Sequence, residues 1–169
     1  MNRLSSRALP VFAALLLAGC VTAPKPLQGT YAPLQPADVA RSGATGDMVR
    51  WGGRIVRVDP LAAQSCFEIV GVRLGPDGRP QERDQSDGRF IACRAGFYDP
   101  AVFAEGREVT FVGKIEGYES TRIGEYDYQL PRVAAEVVYL WPEVREVEVR
   151  PYPYYDPYWG PRWGRWGWW

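Results

Sequence analysis

Through the middle of the chain, apolar and polar residues alternate with the period of two that is typical of β-strands. The first alternating stretch covers residues 47–58, and others cover residues 65–74, 89–94, 107–118 and 126–141. A polar loop over residues 75–88 separates the second stretch from the third. The pattern therefore predicts five strands in a mostly β domain that spans residues 47–150.

Gly52 and Gly53 lie side by side in the middle of the first predicted strand. Because glycine weakens a regular strand, the pair indicates a bulge or sharp bend, of the kind that lets one strand serve both halves of a small barrel. A phosphate-binding loop is the alternative, but no helix start follows these glycines, as such a loop requires.

One short helix is predicted between the third and fourth strands. Asp99 can cap it, Pro100 suits its first position, and Gly106 can end it. Three strands, a helix and two strands follow the order of the OB-fold, a five-stranded, partly open Greek-key barrel. We therefore predict an all-β fold: a small five-stranded OB-like antiparallel barrel with one short helix between strands 3 and 4. A small antiparallel sandwich is the alternative.

The first residues have the layout of a bacterial lipoprotein signal. Two arginines precede an apolar run over residues 8–18, which leads into Leu17-Ala18-Gly19-Cys20. We expect residues 1–19 to be removed and Cys20 to become the acylated first residue. A transmembrane helix is the alternative, but Pro10 lies inside the run, which is shorter than the roughly 20 residues that a membrane span needs.

Residues 20–46 carry four prolines and no sustained apolar periodicity. Proline-rich segments are semi-rigid and extended, so this lipidated N-terminal segment is expected to be a tether that holds the domain several nanometres from the membrane. A short helix over residues 36–40 is the competing interpretation.

Residues 151–169 form an aromatic, low-complexity tail whose Pro and Gly residues break the periods of both helix and strand. We interpret its rings, together with Arg162 and Arg165, as groups that contact lipid headgroups or envelope sugars. The alternative is that some rings fold back and cover the barrel. The candidate interface residues are Trp159, Trp163, Trp166, Trp168 and Trp169.

Composition argues against most classes of enzyme. The chain has no histidine, the commonest general base and metal ligand. No nucleophile–base pattern is present. Acid–base catalysis by a pair of carboxylates among Glu105, Glu116 and Asp127 is the remaining alternative. The acidic residues of the polar loop lack the spacing of an EF-hand. We therefore expect no catalytic residues, no metal site and no cofactor other than covalent lipid on Cys20.

Charge bears on the kind of partner. The chain has 20 basic and 20 acidic residues, and residues 1–19 contain Arg3 and Arg7 but no acidic residue. Their removal leaves 18 basic against 20 acidic groups, a net charge of −2. Such a balance provides no general attraction to nucleic acid, so attachment to a membrane must come from the lipid itself.

Cys66 and Cys93 are left as an even pair once Cys20 is assigned to lipid, in a compartment that oxidises thiols. If Cys66 lies opposite Cys93 in two antiparallel strands, then Phe67 faces Ala92 and the strands share an apolar inner face. We therefore favour a disulfide between the two residues. Two free buried thiols are the alternative.

Four blocks of sequence are distinctive, and with the aromatic tail they cover most of the mature chain. The blocks are Val49-Arg50-Trp51-Gly52-Gly53-Arg54-Ile55, Gly88-Arg89-Phe90-Ile91-Ala92, Gly96-Phe97-Tyr98-Asp99-Pro100 and Val109-Thr110-Phe111-Val112-Gly113-Lys114-Ile115. In these features the chain resembles the Slp (starvation-inducible) outer-membrane lipoproteins of Gram-negative bacteria.

The resemblance implies an outer-membrane lipoprotein associated with stress or stationary phase, with no established catalytic activity or catalytic residues. Outer-membrane sorting also fits Val21, because lipoproteins retained in the inner membrane typically carry Asp directly after the cysteine. The cysteine pair at 66 and 93 is not part of the family pattern. We therefore expect a non-catalytic envelope protein, anchored by lipid and facing the periplasm, whose partners are the membrane and envelope glycans or proteins. The alternative is an OB module that binds envelope carbohydrate or peptidoglycan.

Overall fold

The computed structural model describes residues 22–81 and 84–144. Five strands close into a ring in the order β1-β2-β3-β5-β4, so the prediction of a mostly β fold with five strands is confirmed. A 3₁₀ turn over Lys25–Leu27 and one α-helix precede the strands. The elements are α1 (Pro36–Ser42), β1 (Met48–Pro60), β2 (Gln64–Val72), β3 (Gly88–Ala95), β4 (Glu108–Ile123) and β5 (Tyr126–Leu140).

Neighbouring strands in the ring are antiparallel except β3 and β5, which are parallel over three residue pairs beginning with Ile91 and Arg132. Beyond Lys114 in β4 and before Arg132 in β5, the described strands pair with each other alone. This two-stranded extension, residues 118–131, is called the arm. A two-residue turn that begins at Gly124, with φ +62°, closes its tip.

Aromatic side chains fill the interior of the ring. Phe67, Phe90 and Phe111 are fully buried and contact one another through edge-on or tilted rings, with centroids 5.3 Å apart for Phe67 and Phe111 and 6.0 Å apart for Phe90 and Phe111. Trp51 adds a fourth ring, 5.3 Å from Phe90. Burying a phenylalanine side chain contributes about 1.5–3 kcal/mol, so these rings supply a large share of the stability.

The two ends of the ring are closed by different segments. At one end, α1 places Val39 in the core and brings Pro36 next to Gly71, near the end of β2. At the other end, where β2 begins, Tyr98 and Phe103 pack against Phe67 with ring centroids 5.4 and 5.5 Å away. Side chains therefore fill the ring from end to end.

The predicted helix between strands 3 and 4 is wrong. Asp99 does cap a turn there, since its Oδ1 accepts a hydrogen bond from the Ala101 amide at 2.8 Å and its carbonyl accepts one from the Phe103 amide at 2.9 Å. The segment turns once and stops at Gly106, which has φ +82°. A single turn does not repay the cost of helix nucleation. In the described part of the chain, the α-helix lies before β1 instead.

The predicted tether also differs from the structure, because the described part of residues 20–46 packs on the ring. Leu27 and Val39 are fully buried. The Trp51 indole Nε1 donates a hydrogen bond to the Leu34 carbonyl at 2.6 Å, and the Arg50 guanidinium donates one to the Leu27 carbonyl at 2.9 Å. The competing interpretation, a helix within this segment, agrees with α1. Among the described residues, Ala23 is already packed on the ring, well before residue 47.

Gly52 and Gly53 occupy the stretch of β1 that pairs with β2 on one side and β4 on the other. A Cβ on Gly53 would overlap the Val70 carbonyl oxygen, and one on Gly52 would lie 2.7 Å from the Thr110 hydroxyl oxygen. The break in strand register comes later, between residues 55 and 57. The prediction of a strand shared by both neighbours agrees with this pairing, but close approach of the flanking strands, not a bulge, requires these glycines.

Replacing Gly53 by Ala is expected to lower the free energy of unfolding by about 1–3 kcal/mol, because the added methyl group must displace β2. Gly117→Ala is the matched control. Its added Cβ meets no atom within 4 Å, and Gly117 lies in the same sheet at an ordinary φ. Denaturant unfolding should show a clear loss for Gly53→Ala and little change for Gly117→Ala. Equal midpoints for both variants would contradict the close-approach explanation.

Candidate functional site

The first and last described segments of the chain meet on one outer face of the ring. Ala23, Leu27 and Trp141 belong to one packed cluster, distinct from the ring interior, and Ala23 and Trp141 are each 8% exposed. The Trp141 indole Nε1 donates to the Thr110 Oγ1 at 2.9 Å, and that hydroxyl donates to the Gly78 carbonyl at 2.9 Å. Ala23, Leu27, Gly78, Thr110 and Trp141 are together called the exit face.

Gly78 allows these segments to come together. A Cβ at this position would lie 3.5 Å from both Ala23 Cβ and Leu27 Cδ1, so the N-terminal segment packs directly against the glycine. Its φ of +81° is in the left-handed region that favours glycine and belongs to the turn after β2. Thr110 is fully buried, and its hydroxyl both accepts and donates, so no polar atom of that side chain is left unpaired.

Arginine side chains line the edge of the exit face. The Arg79 guanidinium pairs with the Glu108 carboxylate at 2.7 Å, donates to the Pro142 carbonyl at 3.0 Å and lies 5.5 Å from the centre of the Trp141 ring. Arg107 donates to the Trp141 carbonyl at 3.0 Å and lies 3.4 Å from a Glu143 carboxylate oxygen. A surface cavity of about 320 Å³ lies among these groups.

The second feature is the disulfide on another part of the outer surface. Cys66 and Cys93 are directly opposite in the β2–β3 register, with Cα atoms 4.1 Å apart, and their sulfurs are bonded. The register also sets Phe67 opposite Ala92, as the sequence predicts. Leu130, at the base of the arm, is 2% exposed and packs in the same cluster as Cys93.

A surface cavity of about 650 Å³ lies beside Cys66, and half of the residues that line it are charged. Glu68 is 8% exposed and is held by Arg89 at 2.8 Å and by Arg57 at 3.6 Å. Arg132 pairs in turn with Glu116 at 2.7 Å. These ion pairs join neighbouring strands, so the charged groups serve to stabilise the fold.

Tyr118, also on this cavity, joins the arm to α1. Its hydroxyl lies 3.0 Å from the Val39 carbonyl and 2.8 Å from the Ala44 carbonyl, and it donates to these acceptors. Burial raises the pKa of the Tyr118 phenol because it disfavours the phenolate. The phenol therefore stays protonated and acts as a hydrogen-bond donor that positions the base of the arm.

The third feature is an exposed aromatic pair on the arm. Tyr126 and Tyr128 are 74% and 46% exposed, and their ring centroids are 6.3 Å apart. They are two residues apart in one strand and so share a face, with Thr121 opposite Tyr128. The pair presents an aromatic surface to solvent.

The structure places the other predicted residues as follows. Cys20 and the candidate interface residues Trp159, Trp163, Trp166, Trp168 and Trp169 lie outside the described residues. So do residues 145–150 of the predicted domain. The three carboxylates left open for catalysis are not brought together, since Glu105 is in the β3–β4 loop, Glu116 pairs with Arg132, and Asp127 lies 3.6 Å from Arg122 on the arm.

Within residues 22–81 and 84–144, no three Cys, Asp or Glu side chains are grouped as a metal site would require. No helix in this part of the chain is long and apolar enough to cross a lipid bilayer.

Comparison with known proteins gives a consistent result. The family model described as "Outer membrane lipoprotein Slp family" matches residues 17–169. The uncharacterized lipoprotein YeaY of Escherichia coli (strain K12) is 33% identical over 150 residues, which cover 86% of this chain and 76% of YeaY. The outer membrane protein Slp of the same organism is 28% identical over 166 residues, 95% of this chain and 87% of Slp.

Among solved structures, a small single-stranded DNA-binding protein from Streptomyces coelicolor aligns with 57% of this chain and 95% of its own. The two are 12% identical and the TM-score is 0.34, a likeness too low to bear on the ligand of this chain.

The small β ring and these matches define the chain as an outer-membrane lipoprotein. It belongs to the Slp family of such proteins, as the sequence resemblance predicted.

Removing the disulfide is expected to lower the free energy of unfolding by about 3 to 4 kcal/mol, because the bond closes a 27-residue separation in the unfolded chain. Reductant should lower the thermal midpoint of the unaltered protein. The Cys66→Ala/Cys93→Ala variant should start at a lower midpoint and be insensitive to reductant. Alkylation of both Cys66 and Cys93 in protein that has not been reduced would contradict the bond.

Proposed function

We propose that this protein is a non-catalytic lipoprotein of the cell envelope, associated with stress or stationary phase, whose ring domain acts through contacts made at its outer surface. The observation that carries the proposal is the filled interior of the ring. Phe67, Phe90 and Phe111 occupy it, and α1 and the Tyr98–Phe103 segment close its ends, so a partner must bind outside. The domain faces the periplasm and uses no cofactor apart from its lipid.

The anchor in this proposal is covalent lipid on Cys20. The motif Leu17-Ala18-Gly19-Cys20 and membership of the Slp family support it. Each buried CH₂ of an acyl chain contributes about 0.8 kcal/mol, so more than one chain holds a protein on a membrane stably.

Intact-mass analysis of the membrane-bound protein should show loss of residues 1–19 and added mass from acyl chains at Cys20. Cys20→Ala should prevent both changes, which leaves the apolar run of residues 8–18 attached. A Cys20→Ala protein that also lacks residues 1–19 has neither this run nor the lipid, and most of it should be recovered outside the membrane fraction. Cys66→Ala/Cys93→Ala is the matched control, since it removes cysteines without touching the anchor. Unmodified Cys20 in protein that still fractionates with the membrane would contradict the proposal.

The aromatic tail is proposed as a second, weaker contact with the membrane surface. It begins seven residues after Val144, which is 73% exposed and lines the cavity beside Arg79 and Arg107. Trp and Tyr rings with interleaved arginines suit the headgroup layer. The residual binding to liposomes of a Cys20→Ala protein that lacks residues 1–19 should therefore fall when residues 151–169 are also removed, while the thermal midpoint stays nearly constant. A midpoint several degrees lower, with unaltered binding, would assign the tail to the fold.

A second candidate function, binding of envelope carbohydrate or peptidoglycan, is favoured by the tyrosine pair on the arm. Tyr126 and Tyr128 expose adjacent rings on one face, and flat aromatic surfaces of this kind stack on the apolar faces of sugars. Glu119 and Arg132 lie at the base of the arm. The Glu119 carboxylate can accept hydrogen bonds from sugar hydroxyls, and the Arg132 guanidinium can donate to them.

Peptidoglycan pull-down tests this second candidate. Tyr126→Ala/Tyr128→Ala should abolish saturable binding if the arm binds sugar, because both stacking rings are lost. Phe97→Ala is the matched control, since Phe97 is another aromatic residue, 73% exposed, in the β3–β4 loop. Saturable binding that survives loss of both tyrosines would rule out the arm as the binding surface.

A further inference from the structure

The exit face lies very close, along the chain, to the residue proposed to carry lipid. Ala23 is 8% exposed and is held in the same cluster as Trp141. Three residue steps separate it from Cys20, and a fully extended chain spans at most about 3.3–3.6 Å per residue. The Cα of Cys20 therefore lies within roughly 11 Å of the Cα of Ala23, whatever path the chain takes.

This distance changes the relation between the domain and the membrane. An acylated cysteine sits at the boundary between the acyl chains and the headgroups, and headgroups occupy the outer 5–10 Å or so of each bilayer surface. With so short a connection, the exit face cannot be held several nanometres away. The sequence suggested residues 20–46 as a spacer. Because this segment is packed against the ring from Ala23 onward, it cannot add distance between the ring and the membrane.

The charge of this face suits a surface of phosphate groups. Lys25 is exposed two residues after Ala23. Arg50 donates to the Leu27 carbonyl, and Arg79 and Arg107 line the edge of the face next to Trp141. The acidic residues paired with these arginines are Glu108 and Glu143. Asp77, beside Gly78, adds a third anionic group, since its Oδ1 accepts a hydrogen bond from the Arg79 amide at 3.0 Å. Four cationic groups against three anionic ones leave the face a small positive balance, although the mature chain carries a net charge of −2.

We propose that the exit face is the surface of the ring that lies against the membrane, with Lys25 and the bordering arginines at the level of the phospholipid phosphates. This inference rests on the proposed lipidation of Cys20 and adds to it a defined orientation of the domain. The last described residues, 141–144, leave the ring at the same face. The aromatic tail therefore starts within seven residue steps of this face, at most about 25 Å along an extended chain.

The sequence offers a direct probe, because Lys25 and Lys114 are its two lysines and both are exposed. Lys25 is at the exit face, whereas the Lys114 Cε is 4.0 Å from the Cβ position of Gly46, at the end of the ring that α1 closes. The lipidated protein is placed in vesicles of phosphatidylethanolamine and phosphatidylglycerol. A bulky, membrane-impermeant amine-reactive ester then modifies both lysines, and the rate at each is followed by peptide mass spectrometry.

The decisive variant inserts about 12 Gly and Ser residues between Val21 and Thr22, a flexible linker that spans roughly 20 Å on average and frees the exit face from the surface. The same insertion between Gly124 and Glu125, at the tip of the arm, is the matched control. Lys25 should react several-fold more slowly in the unaltered protein and in the arm-tip variant than in the Val21/Thr22 variant. Lys114 should change much less.

Two results would overturn the orientation: equal rates at Lys25 in all three lipidated proteins, or an equal change at Lys25 and Lys114. Intact mass, measured on the same samples, separates this failure from that of the proposed function. If Cys20 carries no acyl chains, the anchor itself is wrong and the orientation falls with it. If Cys20 is acylated and Lys25 is not protected, the orientation alone is wrong.

Discussion

Closing five strands into one ring requires β1 to pair with both β2 and β4, and at residues 52–54 it pairs with the two strands at once. Much of the structure depends on this. At Gly52 and Gly53 the flanking strands come so close that a Cβ would strike Val70 or Thr110. The curvature that this closeness permits keeps the interior narrow. Four aromatic rings and the buried aliphatic side chains around them, with one segment across each end, then fill it.

The outer surface of the ring is divided between covered and open regions, and the division decides where the protein can act. The N-terminal segment covers one face with Ala23 and Leu27, and Trp141 from the other end of the chain completes the cover. The disulfide and Leu130 bury a second, smaller region. The tip of the arm lies outside both, with Tyr126 and Tyr128 exposed. The surface proposed for attachment and the surface proposed for recognition are therefore separate parts of one small domain.

Strands with one buried face could be predicted from sequence, and elements without such a face could not. Alternation located the start of β1 within one residue, and the cysteine pair correctly indicated the β2–β3 register. The prediction ended β4 near residue 118, whereas the strand runs to Ile123, because the exposed arm has no core to impose alternation. The burial of Leu27 and Val39 could not be predicted, since neither residue belongs to a periodic pattern of apolar positions. The exit face had no sequence signal, as it joins residues more than 100 positions apart.

The parallel contact between β3 and β5 has a consequence for the order of folding. It joins Ile91 to Arg132, and β1 joins Met48 to Lys114 in β4, whereas the β1–β2, β2–β3 and β4–β5 pairs connect strands that follow one another. Loop-closure entropy makes the sequence-local hairpins form first and the two distant pairings last. The ring can therefore close only after β5 has been translocated. Until then the exported chain carries unpaired strand edges, the state in which β-rich proteins are most prone to aggregate.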